Sequence, residues 1–397
     1  MKVLLLEDIH KDASSAFIDA GFDVSEIKHS PTLEEIVDKS LGATVIGIRS
    51  RTKIGKDILG NSENLLAIGA FCIGTEHIDL EICEKRGIAV FNAPYSNTRS
   101  VVELALGEII MLLRHAFDRS SELHTGNWKK SAEGCREIRG KRLGIIGYGN
   151  IGSQLSVLAE ALGMEVVYHD VSEKLSIGNA KKVAFDELLT TSDVITCHID
   201  GRPGNRGIIG EREIAMMKHG AIFMNLSRGF IVDIDALAKA LTSGKLAGAA
   251  LDVFPKEPAS NKEEFLSPVR GLKNVILTPH VGGSTAEAQQ NIGRFVAARI
   301  IDYIRTGSTT TCVNLPVLQA AKGAGIHRFA HIHENVPGML AKINKLFAQN
   351  HVNISGQHLQ TRGHIGYSII DVDDVKGPSL AGKMAALPGT IRSRLVY

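Results

Sequence analysis

The sequence predicts an α/β chain with two doubly wound parallel-sheet domains, followed by a small βαββαβ module of the ferredoxin-like kind. Three observations carry this. Residues 1–96 alternate short apolar runs with helical patterns. The glycine run Gly147-Tyr148-Gly149-Asn150-Ile151-Gly152 lies between an apolar strand pattern and an apolar helix pattern. Beyond residue 327 the rhythm changes to strand, helix, two strands, helix, strand, the order of a ferredoxin-like unit. At 397 residues the chain is too long for one ordinary domain. Its 44% apolar and 22% charged content fits a globular protein.

In the first domain Val3–Leu6, Val24–Ile27, Val45–Ile48, Leu66–Ile68 and Ala89–Phe91 read as strands. Helices alternate with them, as at Thr32–Ser40, where Pro31-Thr32 and acids in the first turn mark the start. This βαβ rhythm implies a small doubly wound domain. A long helix pattern from Ser100 (Val101, Leu104, Ala105, Glu108, Ile109, Leu112) leads into the second domain. There Leu143–Ile146, Met164–His169, Val194–His198, Ala221–Leu226, Ala249–Val253 and Val275–Thr278 predict about six parallel strands. A helical run, Ala286 to Ile304, leads out again, so the first domain is expected to be discontinuous, 1–96 with 284–318, around a second domain at 97–283. Thr306 to Gly325 reads as a linker and the expected hinge, from its Gly-Ser-Thr-Thr-Thr and Ala-Ala-Lys-Gly-Ala-Gly runs. The third domain is expected at 327–397, with strands at Phe329–His333, Val352–Gln360, Ile365–Val372 and Ile391–Tyr397.

The glycine run has the context of a dinucleotide site: strand, glycine turn, helix. Gly147 allows the turn, Gly149 lets backbone approach a pyrophosphate, and Gly152 lets helix and strand pack closely. Helix N–H groups then face the phosphates. Asp170 ends the next strand, about twenty residues on, where an acid accepts ribose hydroxyls. Its charge favours NAD over a 2′-phosphorylated cofactor, and no arginine directly follows it. Cofactor contacts are thus expected at Gly147, Gly149, Asn150, Ile151, Gly152 and Asp170 in a Rossmann domain. The bland alternative is a glycine-rich turn without a ligand.

Three further residues fall at or just past strand ends, where ligands of open α/β sheets bind. They are Arg228 in Asn225-Leu226-Ser227-Arg228-Gly229, Glu257 in Asp252–Pro258, and His280 in Thr278–Ser284. Oxidising an alcohol needs a base, and histidine titrates near neutrality. A carboxylate beside it orients the ring and favours its protonated form. An arginine takes a carboxylate in two hydrogen bonds and polarises a developing carbonyl. Taken singly, each could equally be a solvated surface residue. Arg49 and Arg51 flank Ser50 just after a first-domain strand, and alternate residues of an extended segment point the same way. Two guanidiniums there could face one anion, or be an ordinary surface pair.

On GYGNIG with Asp170, NLSRGFIVD (225–233), AALDVFPKEP (249–258) and LTPHVGGST (277–285), the chain resembles the D-isomer specific 2-hydroxyacid dehydrogenases over nearly its whole length. The resemblance implies a flavodoxin-like substrate domain, a catalytic trio of Arg228, Glu257 and His280, and further NAD contacts at Asp252, Gly282 and Gly283. Within the family, IGIRSRTKI (46–54), AIGAFCIGTEHIDL (67–80), FNAPYSNTRSVVELALGEI (91–109), HIHENVPGML (331–340) and LPGTIRSRLVY (387–397) are similar to the short bacterial members with a C-terminal ACT domain. That similarity implies 3-phosphoglycerate as substrate, with contacts at Arg49, Ser50, Arg51 and Asn97. It also implies L-serine as an allosteric effector at His333, Asn335 and Asn353, and a homotetramer. One departure stands out: Asp200 occupies a position where the family usually has proline, which is expected to weaken or reshape the adenosine end of the site. Other 2-hydroxyacid or 2-oxoglutarate reductases, and a non-catalytic NAD-sensing protein, remain rival readings.

Composition narrows the classes further. Lys plus Arg number 45 against 43 acids, a net charge of +2 without a long basic run, which disfavours a nucleic-acid or membrane surface. Five scattered cysteines without a C-x-x-C argue against a zinc site or disulfide framework, and no metal is expected. No stretch approaches the roughly 20 apolar residues of a membrane span. A cytoplasmic enzyme is the expectation.

Overall fold

The computed structural model describes residues 1–29, 31–258, 262–321, 327–373 and 377–397. The chain forms two compact units, Met1–Ser96 with Gln289–Tyr397, and Asn97–Ala288.

The first unit holds two sheets. Strands β1 (Lys2–Leu6), β2 (Asp23–Ile27), β3 (Ala43–Ile48), β4 (Ala67–Ala70) and β5 (Ala89–Phe91) form a parallel sheet in the order β2-β1-β3-β4-β5. This is the flavodoxin-like order. The central strands are buried on both faces and so read as continuous apolar runs. Val3, Leu5 and Val45 pack with Phe17 and with Val296 and Ile300 of the returning helix Ala286–Thr306. The helix Leu33–Ser40 begins as expected, with the Thr32 hydroxyl accepting from the Glu35 N–H at 3.2 Å.

Among the described residues the second unit carries seven parallel strands, where the sequence suggests about six. They are β6 (Arg142–Ile146), β7 (Glu165–His169), β8 (Lys181–Lys182), β9 (Val194–Cys197), β10 (Ala221–Asn225), β11 (Leu246–Leu251) and β12 (Val275–Leu277). Their order is β12-β11-β10-β9-β6-β7-β8. The extra strand, β8, is a two-residue exposed lysine edge, too short for a periodicity signal, and lysine is a common device for blunting a sheet edge. Strand order reverses between β6 and β9, so the glycine turn after β6 opens at the switch point, where such sheets take ligands.

The remaining strands, β13 (His327–Glu334), β14 (Ile354–Arg362), β15 (Ile365–Val372) and β16 (Thr390–Leu395), form an antiparallel sheet in the order β14-β15-β13-β16. With helices Met339–Gln349 and Gly377–Ala385 the order is βαββαβ, as expected. Period-two alternation divides its faces. Phe329, Ile370 and Val372 pack with Ile343, Phe347, Leu380 and Met384 of the helices. Ala330, Ile332, Tyr367 and Ile369 share a core with Tyr303, Ile304 and Leu315.

That second face corrects the expected hinge. Residues of the 306–321 stretch are packed rather than free: Thr309 and Leu315 have no exposure. The Asn314 side chain donates to Ile88 O at 2.8 Å and accepts from Val90 N at 2.9 Å. The Thr309 hydroxyl donates to Pro316 O at 2.7 Å. Hydroxyl and glycine content made the stretch look like a linker, but those hydroxyls satisfy its own backbone. Residues 322–325 of the expected hinge lie outside the described residues. Arg328 fastens this arrangement. Its guanidinium is wholly buried, donates to both Asp371 carboxylate oxygens at 2.7 and 2.8 Å, and donates to Thr306 O at 3.1 Å. Removing one partner of a buried ion pair strands the other charge. Asp371→Ala is therefore expected to destabilise the first unit by about 3–5 kcal/mol in urea unfolding; a change below ~1 kcal/mol would show that water reaches Arg328 instead.

Candidate active site

The dinucleotide cradle is built from backbone. Gly147 has φ 94°, a left-handed value that glycine adopts without penalty. A Cβ there would lie 2.6 Å from His198 O, and one on Gly152 would lie 2.3 Å from Gly147 O. Gly149, by contrast, faces open space and precedes the helix Asn150–Ala161, whose start has no side-chain cap. These uncapped N–H groups are the fit expected for a pyrophosphate. Asp170 closes the turn: its carboxylate accepts from the Tyr148 N–H at 2.9 Å and the Ser172 N–H at 2.8 Å. The acid is thus fixed beside the glycines.

Asp200 does not stand as a bare charge beside this cradle. Arg202 forms a two-pronged pair with it, Nε to Oδ1 at 2.7 Å and Nη2 to Oδ2 at 2.5 Å, and Asn205 donates to its Oδ1 at 3.0 Å. The guanidinium holds the carboxyl below the usual carboxylate range. The sequence signal, an arginine two residues on, passed unnoticed because the pairing is made by a turn rather than a regular element.

The catalytic candidates converge within the second unit. His280 Nδ1 lies 3.0 Å from Glu257 Oε2, and Glu257 Oε1 accepts from the Phe254 N–H at 3.2 Å. Arg228 follows β10 in a turn folded by Asn225, whose side chain donates to Arg228 O at 3.0 Å and accepts from the Ser227 hydroxyl at 3.0 Å. Gly229 explains how the Arg228 and Glu257 loops meet: a Cβ there would fall 1.9 Å from the Phe254 carbonyl carbon. The loop carrying His280 is organised by Asp252. This buried carboxylate accepts from the Thr278 hydroxyl at 2.6 Å and from the Val281 and Gly282 N–H groups, each at 2.8 Å. Within that loop His280 has φ 55°, an uncommon conformation for a side-chain-bearing residue. Asn97 lies beside the same loop, since a Cβ on Gly283 would sit 2.0 Å from its Nδ2.

Electrostatics follow from this geometry. The hydrogen bond that His280 donates to Glu257 raises the histidine pKa above its ordinary value, overcoming burial, and Arg228 acts in the opposite direction. Burial works to raise Glu257, but the bond and charge of His280 overcome it and leave the carboxyl below its usual range. The pair is a histidine poised to hold a proton against an ionised carboxylate. Beneath it Glu108 is fully buried and pushed up to about 8, first by burial and then by Asp252.

The other candidates lie in the first unit. Arg49 is half-buried, and Ser50 and Arg51 are exposed, just past β3. In the antiparallel module His333 is buried, with its ring nitrogens 2.9 Å from Glu334 O and 3.2 Å from Ser368 Oγ. Asn335 donates to Gly363 O at 3.0 Å and Asn353 to Asp373 Oδ2 at 2.9 Å. Both asparagine contacts are exposed.

A glycine cradle with its acid, and a histidine–glutamate pair with an arginine at neighbouring strand ends, define an NAD-linked dehydrogenase acting on an alcohol beside a carboxylate. Residues 106–282 match the NAD-binding domain of the D-isomer specific 2-hydroxyacid dehydrogenases, and residues 329–392 match an AHAS small subunit-like ACT domain. A D-3-phosphoglycerate dehydrogenase of Haemophilus influenzae is 48% identical over all of this chain and 97% of its own. One from Escherichia coli is 48% identical over all of this chain and 98% of its own. A solved D-lactate dehydrogenase of Aquifex aeolicus, complexed with NAD and lactic acid, is 26% identical with a TM-score of 0.66, covering 76% of this chain and 96% of that one. The chain belongs to the D-isomer specific 2-hydroxyacid dehydrogenase family, in its D-3-phosphoglycerate dehydrogenase group. It is an NAD-dependent oxidoreductase with an ACT domain.

The raised His280 fixes a pH signature. Neutral imidazole is the form that accepts a proton, so with His280 as the base alcohol oxidation is expected to rise as pH passes upward through its pKa. Glu257→Gln removes the main cause of the upward shift. The acidic limb of the kcat/KM profile for oxidation should move to lower pH while kcat falls about 10²-fold or more. An unmoved limb would assign it to another group.

Proposed function

We propose that this enzyme oxidises 3-phosphoglycerate to 3-phosphohydroxypyruvate, at the entry to L-serine synthesis in the cytoplasm. The observation that carries the reading is the Glu257–His280 pair at 3.0 Å, in a chain similar throughout to D-3-phosphoglycerate dehydrogenases. NAD, when bound, supplies the hydride acceptor. Gly147, Gly149, Asn150, Ile151 and Gly152 hold the pyrophosphate, Asp170 the ribose, and Asp252, Gly282 and Gly283 line the nicotinamide end. His280 Nε2 takes the proton of the C2 hydroxyl, and Glu257 stabilises the resulting imidazolium. Arg228 holds the substrate carboxylate in charge-assisted hydrogen bonds and stabilises charge developing on the C2 oxygen. Asn97 adds a donor. Arg49, Ser50 and Arg51 take the phosphate.

We further infer that L-serine regulates the enzyme through the ACT domain, with His333, Asn335 and Asn353 as its contacts, and that the enzyme is a homotetramer. An ACT domain with two exposed asparagines supports the first inference. The second is supported by Phe117, Leu123 and Trp128, large apolar side chains exposed close together in sequence, Trp128 by 80%.

An NADH-linked assay with 3-phosphohydroxypyruvate tests the substrate. Arg49→Ala should raise its KM about tenfold or more, as loss of a charged hydrogen bond does, and leave the KM for NADH unchanged; an unchanged substrate KM favours an unphosphorylated 2-oxoacid. L-serine should inhibit the wild type and fail to inhibit Asn335→Ala. Inhibition that survives the substitution moves the effector elsewhere.

A further inference from the structure

The turn carrying Arg49, Ser50 and Arg51 is held from beneath by a residue with no assigned role. Glu7 follows β1 and is 7% exposed. Its carboxylate accepts from two consecutive backbone N–H groups, Oε1 from Thr52 at 2.6 Å and Oε2 from Arg51 at 3.1 Å. Converging backbone N–H groups form an anion-binding concavity, and here an internal carboxylate fills it. Glu7 and Asp8 both adopt left-handed backbone, with φ of 66° and 51°. Two successive side-chain-bearing residues in that region persist only where surrounding contacts hold them. The Glu7 N–H is itself tied to Ile27 O at 2.9 Å.

The rest of the turn is anchored from the segment after β4. Cys72 Sγ lies 3.5 Å from Arg49 O, and the Ile54 N–H donates to His77 O at 2.9 Å. The backbone from Arg49 to Ile54 is thereby fixed, while Ser50 and Arg51 remain exposed. The Glu7 carboxylate thus holds the backbone of the segment that bears the two guanidiniums.

We propose that Glu7 is a positioning residue that fixes the Arg49–Thr52 turn for a phosphate, and so sets the preference for a phosphorylated over an unphosphorylated 2-oxoacid. The proposal rests on the reading that this turn takes the phosphate. The test compares 3-phosphohydroxypyruvate with hydroxypyruvate, using the full-length wild type and Glu7→Gln. Glutamine keeps the size but puts an amide N–H against one of the two backbone donors. The expected result is a KM for 3-phosphohydroxypyruvate raised about tenfold, with kcat and the KM values for hydroxypyruvate and NADH within about twofold of wild type. A wild-type KM for the phosphorylated substrate in Glu7→Gln, while the wild-type enzyme itself prefers that substrate, overturns the role of Glu7 alone. A wild-type enzyme without such a preference overturns the phosphate reading of the turn, and this proposal with it. Should Glu7→Gln not fold, amide exchange in the wild type decides: the Arg51 and Thr52 N–H groups should exchange far more slowly than that of Ser50. Equal exchange would overturn the proposal.

Discussion

The arrangement of the candidate catalytic residues depends on one buried carboxylate. Asp252 spends both oxygens on the loop after β12, accepting from the Thr278 hydroxyl and the Val281 and Gly282 N–H groups. Hydrogen bonds to a charged acceptor are among the stronger ones in proteins, and three of them define the course of a five-residue segment. His280 lies in its middle with a left-handed backbone, a conformation that persists only under such restraint. The restraint aims the ring at Glu257, and the loop carrying Glu257 is in turn packed against the one carrying Arg228 by the missing side chain of Gly229. Parallel strands deliver all three loops to one edge of one sheet, so three residues far apart in sequence become one chemical group.

The same logic recurs elsewhere in the molecule. Asp170 accepts from backbone N–H groups of the glycine turn and of its own loop, and Glu7 does so beneath the arginine turn. In each case an acid at or just beyond a strand end fixes an irregular segment by its backbone rather than by its side chains. Such segments can then carry exposed, variable chemistry on a rigid base. The antiparallel module follows a different rule. Its sheet buries one face under its own helices and the other against the core of the first unit, fastened by Arg328 and Asp371.

Much of this was legible in the sequence because apolar periodicity reports burial directly. Every strand of the first sheet, six of the seven in the second and all four in the third fall where apolar runs placed them. The lysine edge strand β8 lacked apolar residues to announce it. The candidate site residues that the structure brings together stand out as motifs, yet their partners do not. Arg202 neutralises Asp200 through a turn, and Thr278 bonds Asp252 across 26 positions, contacts that neither a period of 2 nor one of 3.6 encodes. The stretch 306–321 misled for a related reason. Serine, threonine and glycine usually mark solvent-exposed connections, but here Thr309 and Asn314 satisfy buried backbone. Composition does not distinguish a hydroxyl facing water from one facing a carbonyl.

The geometry makes His280 a proton carrier whose pKa is raised by Glu257, on a loop built by Asp252. The most direct test is an NMR titration of the wild-type enzyme with isotope-labelled histidine side chains, the His280 resonance being assigned from His280→Asn. The pKa of His280 should lie above the ordinary value of about 6.5. A value at or below it would mean that burial and Arg228 dominate, and that the Glu257 contact does not govern the chemistry of the ring.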